Sequence, residues 1–112
     1  MRKEKYMNSL SMATNSGLHD YELVDISINY NQANIFLRMK TPQGKQFLLT
    51  VENFVDFKIT HTEKWGKGKY ICSSDIKQSQ TSRKSKLEIK LNSGDEIEIC
   101  FLTKNIEENE SA

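Results

Sequence analysis

Two imidazoles and a carboxylate can hold a divalent metal ion between them, and His19, Asp20 and His61 are the residues of this chain that could supply such a set. Their spacing argues against it. In a strand, adjacent residues such as His19 and Asp20 point to opposite faces, and His61 lies far along the chain. The expectation is a polar site without metal, in which Asp20 caps a turn and His19 hydrogen-bonds the backbone near a sheet edge. Cys72 and Cys100 show neither a CxxC pair nor Cys/His ligand spacing, so a zinc site and a disulfide framework are both unexpected. They read as reduced, largely buried thiols. No serine sits in a G-x-S-x-G elbow, and the glycines match neither a phosphate-binding loop nor a dinucleotide fingerprint. Asp95 and Glu96 adjoin a turn, where solvated charge is expected rather than proton transfer. These residues point to no catalysis and no cofactor.

The other unusual composition is Lys64-Trp65-Gly66-Lys67-Gly68-Lys69-Tyr70, with three lysines, two glycines and two aromatics in seven residues. A flexible basic loop of this kind can stack bases and neutralise phosphates. A lone tryptophan in a small β domain more often plugs the open end of the core, with glycines allowing the backbone to turn tightly beside it. Plugging is the expectation over base stacking, because little else of an RNA-binding module is present.

The elements that must position these residues are strands. Val24, Ile26 and Ile28, then Ile35, Leu37 and Met39, then Phe47, Leu49 and Val51 alternate with polar residues, so each run has one apolar face. Directly paired residues on antiparallel strands share a face, which fixes the register. A two-residue loop at Asn31-Gln32 sets Ile28 opposite Ile35, Ile26 opposite Leu37 and Val24 opposite Met39. A three-residue loop at Pro42-Gln43-Gly44 sets Met39 opposite Phe47, Leu37 opposite Leu49 and Ile35 opposite Val51. Asn92-Ser93-Gly94 repeats the device, placing Ile89 opposite Ile97, Leu87 opposite Ile99 and Lys90 opposite Glu96. Between these hairpins, residues 54–60 (Val55, Phe57 and Ile59 alternating) and 70–73 read as short strands. The fold class is all-β: a single small antiparallel β-sandwich or partly open β-barrel of six to seven strands. Lysines at outer positions such as Lys86 and Lys90 are expected to discourage edge pairing.

A chain of 112 residues suits one such domain. Residues 1–17 read as a mobile N-terminal segment, with a short helix over 6–13 as its only element, residues 18–103 as the all-β domain and 104–112 as an acidic disordered tail. The stretch 76–85 is polar and reads as a loop. Residues 58–90 carry nine basic and three acidic groups, and residues 91–112 carry one and six. Segments of opposite sign in a small sheet can lie side by side and cancel much of the field. No apolar run is long enough to span a bilayer and the N-terminus lacks an apolar secretion core, so a cytoplasmic protein with no membrane partner is expected.

Leu18-His19-Asp20 before the first strand, a β-meander, 52–57 (Glu-Asn-Phe-Val-Asp-Phe) and Trp65-Gly66 before Tyr70-Ile71 together resemble small bacterial all-β proteins of unknown function, some grouped with the immunity proteins of polymorphic toxin systems. The resemblance covers about 18–73. It implies stoichiometric binding of a protein partner and transfers no catalytic residue. The functional expectation is a non-enzymatic protein-binding module, an immunity-type protein neutralising a toxin, with Trp65 and Tyr70 as exposed anchors and Lys64, Lys67 and Lys69 around them. The alternative is a nucleic-acid-binding β domain using the same basic loop together with Arg83 and Lys84. A ligand pocket inside the domain and a homodimer through free sheet edges are further options.

Overall fold

Stretches rich in β-branched and aromatic residues, alternating with polar ones, build seven strands in the computed structural model, which describes residues 10–79 and 82–102. β1 (Glu22–Asn29), β2 (Asn34–Lys40) and β3 (Gln46–Glu52) form one antiparallel sheet in that order. β4 (Phe54–Ile59), β5 (Ile71–Gln78), β6 (Lys84–Leu91) and β7 (Glu96–Leu102) form a second, in the order β4-β7-β6-β5. The two sheets are separate ladders touching through one isolated bridge between Glu22 and Tyr70, so the fold is a sandwich and no closed barrel forms among the described residues. Ile35, Leu37, Met39, Leu49 and Val51 from the first sheet and Leu87, Ile89, Ile97, Ile99 and Phe101 from the second join one buried cluster. Burying these side chains is the main force holding the sheets together.

The hairpin registers agree with face parity. Met39 pairs with Phe47, Leu37 with Leu49 and Ile35 with Val51, while Leu87 pairs with Ile99, Ile89 with Ile97 and Lys90 with Glu96. Ile26 and Ile28 pair with Leu37 and Ile35. Three positions depart from strict alternation, each at a register shift. Leu23, not Val24, lies opposite Met39, and Val24 turns outward. Val55 is likewise extruded between Phe54 and Asp56. Cys72 falls in the shift between Ile71 and Ser73 and is exposed, and Cys100 is half-buried, so the thiols are not buried as expected. An extra residue in one strand bends it and flips the faces that follow. The β1–β2 connection also spans four residues, 30–33, with Ala33 in the left-handed region (φ 58°).

Further corrections follow from the strand order. Lys86 and Lys90 lie on β6, an interior strand, so they guard no edge. The β5 edge is covered instead by the segment before β1, where the Asn15 N–H donates to Asp75 and the Leu18 N–H to Ser74 Oγ. Ala13 and Leu18 are fully buried there, around a 3-10 turn at Thr14–Ser16. Thus 10–17 packs on the sheet, while 1–9, with the first half of the helix expected over 6–13, and the tail 104–112 lie outside the described residues. The polar stretch 76–85 contributes its ends to β5 and β6, so the connection between those strands shrinks to 79–83. Basic and acidic segments do lie side by side, Lys58 opposite Glu98 and Lys90 opposite Glu96 across the ladders, and within the basic segment Lys77 and Lys86 both contact Glu88, at 3.3 and 3.5 Å. Among the described residues, no helix is long and apolar enough to cross a membrane.

Candidate functional site

The ends of the sandwich differ. One carries the 30–33 turn, the Asn53 corner and the 79–83 connection. The other gathers the segment before β1, the 41–45 turn, the long 60–70 loop and the 92–95 turn, and these elements meet around Tyr70. His19, Asp20, His61, Lys64, Trp65, Lys67, Lys69 and Tyr70 are at this second end, whereas Arg83 and Lys84 are at the first.

The 92–95 turn is the scaffold on which the 60–70 loop is built. Asp95 is buried, with 2% of its surface exposed, and accepts hydrogen bonds from the Thr62 N–H (2.6 Å), the Glu63 N–H (3.2 Å) and the Ser93 hydroxyl (2.8 Å). The Thr62 and Thr60 hydroxyls approach the same Oδ1 at 3.3 and 3.5 Å. Desolvation pushes the Asp95 carboxyl up, but the donors from Thr62, Ser93 and Glu63 outweigh it and hold the group below the usual carboxylate value. Glu63 adopts a left-handed backbone (φ 49°), a conformation that costs a non-glycine residue energy and persists because the carboxylate holds its N–H.

From Glu63 the chain turns tightly, with the Gly66 N–H donating to the Glu63 carbonyl and the Trp65 N–H to the Ser93 carbonyl, both at 3.0 Å. The Trp65 ring lies against Gly94, where an added Cβ would come within 3.0 Å of the indole. Its outer face is free, with 73% of the residue exposed. The tryptophan therefore does not plug the core. It rests on a turn and faces solvent. Asn92 completes the scaffold: its Oδ1 accepts from the Tyr70 N–H, and Gly68 packs so closely that a Cβ there would lie 1.9 Å from that oxygen. Only glycine fits at that approach.

Tyr70 is 45% exposed. The Lys69 ammonium sits 6.0 Å from its ring centroid and 3.2 Å from Glu22, so this lysine is already engaged. Lys64 and Lys67 are exposed, and among the described residues neither has an ion-pair partner. His19 and Asp20 contact each other at 3.3 Å, both exposed. They are not in a strand: Asp20 has a left-handed backbone (φ 71°), which brings its carboxylate to the imidazole rather than to the opposite face. His61 stands apart, 4.0 Å from Glu63. No group of three potential metal ligands gathers among the described residues.

Asp95 is the residue that sequence reasoning misses, since it is buried and fully hydrogen-bonded rather than solvated. Two expectations follow. A carboxyl held low in the folded state stabilises above its unfolded value, near pH 4, and that contribution is lost as pH falls through the folded value. The thermal midpoint of the wild type will therefore fall more steeply below about pH 4 than that of Asp95→Asn. Asp25, held low by its hydrogen bond to Arg38 on the outer face of the first sheet, titrates in the same window, so the comparison is made within an Asp25→Asn background. Second, Trp65→Ala will shift the midpoint by no more than about 4 °C, because an exposed ring adds little to folding.

No family model matches the chain. No curated protein matches it. Among solved structures it is similar to the crystal structure of an uncharacterized protein from Neisseria gonorrhoeae, with a TM-score of 0.58 and 20% identity over 76% of this chain and 88% of that one. The likeness shows a shared fold in a bacterial protein.

Proposed function

We propose that the chain is a non-enzymatic protein-binding module whose interface is the end formed by the 60–70 loop, with Trp65 as its central anchor and Tyr70, Lys64, Lys67 and Lys69 around it. The observation that carries this reading is a solvent-facing indole on a loop clamped by a buried carboxylate. Tryptophan and tyrosine are the residues most enriched among those that dominate binding energy. A side chain already fixed before encounter loses less entropy on binding.

Charge supports a protein partner over nucleic acid. The segments 17–22, 40–46, 60–70 and 92–96 together hold five carboxylates and five lysines, so this end lacks the net positive field that non-specific phosphate binding draws on. Arg83 and Lys84 sit at the far end of β6, remote from the loop. The specific role implied by the sequence resemblance is that of a cytoplasmic immunity-type protein that neutralises a toxin by one-to-one binding.

Affinity capture from native-host lysate, with and without nuclease, tests the reading. A single stoichiometric protein that survives nuclease is the expected result. Recovery of nucleic acid alone, released at moderate salt, overturns it in favour of the basic-loop alternative. Recovery of further copies of this chain alone identifies a homodimer instead.

A further inference from the structure

We infer that the partner presents carboxylates around an apolar cleft, the cleft receiving the Trp65 indole and the carboxylates meeting Lys64 and Lys67. The inference rests on the protein-binding reading and adds the chemistry of the surface bound. Although charge at this end balances overall, the two signs are used differently. Asp95 is spent internally on the loop backbone, Glu22 holds Lys69, Asp20 faces His19 and Glu63 faces His61. Lys64 and Lys67 flank Trp65 along the chain, exposed and without an ion-pair partner among the described residues. Lys40 and Lys45, beside the neighbouring turn, are exposed as well.

What this end offers around Trp65 is thus an apolar ring with two ammonium groups that lack an ion-pair partner among the described residues, while Asp95 and Glu22 are taken up internally and Asp20 and Glu96 stay exposed. A complementary surface desolvates the indole in a cleft and places carboxylates within a few ångströms of the lysines. Basic groups in those positions would instead face like charge. Such rim pairs are worth little each, but they set specificity and association rate.

A phage-displayed random peptide library panned on the immobilised full chain provides the test. Clones retained by the wild type are re-assayed on Trp65→Ala, on the Lys64→Glu/Lys67→Glu double variant, and on Lys84→Glu at the far end as a control. All four proteins are first matched for thermal midpoint. The expected clones carry Asp or Glu beside an aromatic or aliphatic residue. They lose binding to Trp65→Ala, bind the double variant roughly three- to tenfold more weakly, and bind Lys84→Glu unchanged. Clones that need Trp65 but show no acidic bias overturn the acidic-partner inference and leave the protein-binding reading standing. Clones indifferent to Trp65 overturn both.

Discussion

Replacing Asp95 with alanine will lower the thermal midpoint by roughly 5–15 °C, more than any other substitution of a charged residue among those described. The loss does not come from an ion pair. It comes from stranding the part-buried N–H groups of Thr62 and Glu63 and the buried hydroxyl of Ser93, all of which now donate to one buried carboxylate. Unpaired buried donors are costly, and the left-handed turn at Glu63 would lose the contact that holds it. Hydrogen exchange should localise the damage. Amides of 60–66 would lose protection while the β6–β7 ladder keeps most of its own. Asp95→Asn retains one acceptor oxygen and should fall between wild type and alanine.

Ile99→Ala will cost about 2–5 kcal/mol, the range for removing a large aliphatic side chain from a packed core. Ile99 is fully buried on β7, paired with Leu87 on one side and Phe57 on the other. β7 lies between β4 and β6, so the cavity would open at the centre of the larger sheet, where neighbouring side chains cannot collapse without breaking register. Urea titration read by far-UV circular dichroism gives the number. A midpoint shifted at constant slope identifies lost stability, whereas a changed slope would mean a change in the unfolded or native ensemble. The same truncation at Val24 should cost far less, because the register shift in β1 turns that residue outward.

The contrast between Ile99 and Val24 shows how much of the fold is legible in the chain. Hairpin register follows from face parity and turn glycines, and those give the pairings around 41–45 and 92–94 directly. Bulges do not follow. Val24, Val55 and Cys72 continue an alternating or apolar pattern in sequence, and only the bending of the strands extrudes them. Strand order is equally hidden, because β4 pairs with the distant β7 and the 60–70 loop that carries the chain from β4 to the far edge at β5 has no pairing signal of its own.

The site divides in the same way. Its outward part is visible as composition: Lys64-Trp65-Gly66-Lys67-Gly68-Lys69-Tyr70 stands out against the rest of the chain. Its support is not. Asp95 works by accepting from backbone groups more than thirty positions earlier, and backbone donors leave no trace in residue identity. That is also why the local composition favours a core plug at Trp65 over a stacking platform, whereas the ring is found on the surface, where the partner-binding expectation needs it. Nothing in its neighbours reveals that the 92–95 turn would hold the loop away from the core.

In the proposed function the Trp65 end, and not exposed aromatic surface in general, binds a protein. Tyr30 supplies the control, being 84% exposed on the 30–33 turn at the opposite end of the sandwich. Trp65→Ala and Tyr30→Ala, each compared with the wild type in nuclease-treated capture from native-host lysate, give the most direct measurement. The expected result is that the stoichiometric protein retained by the wild type is lost with Trp65→Ala and kept with Tyr30→Ala. Retention by Trp65→Ala, or loss with Tyr30→Ala alone, would contradict it.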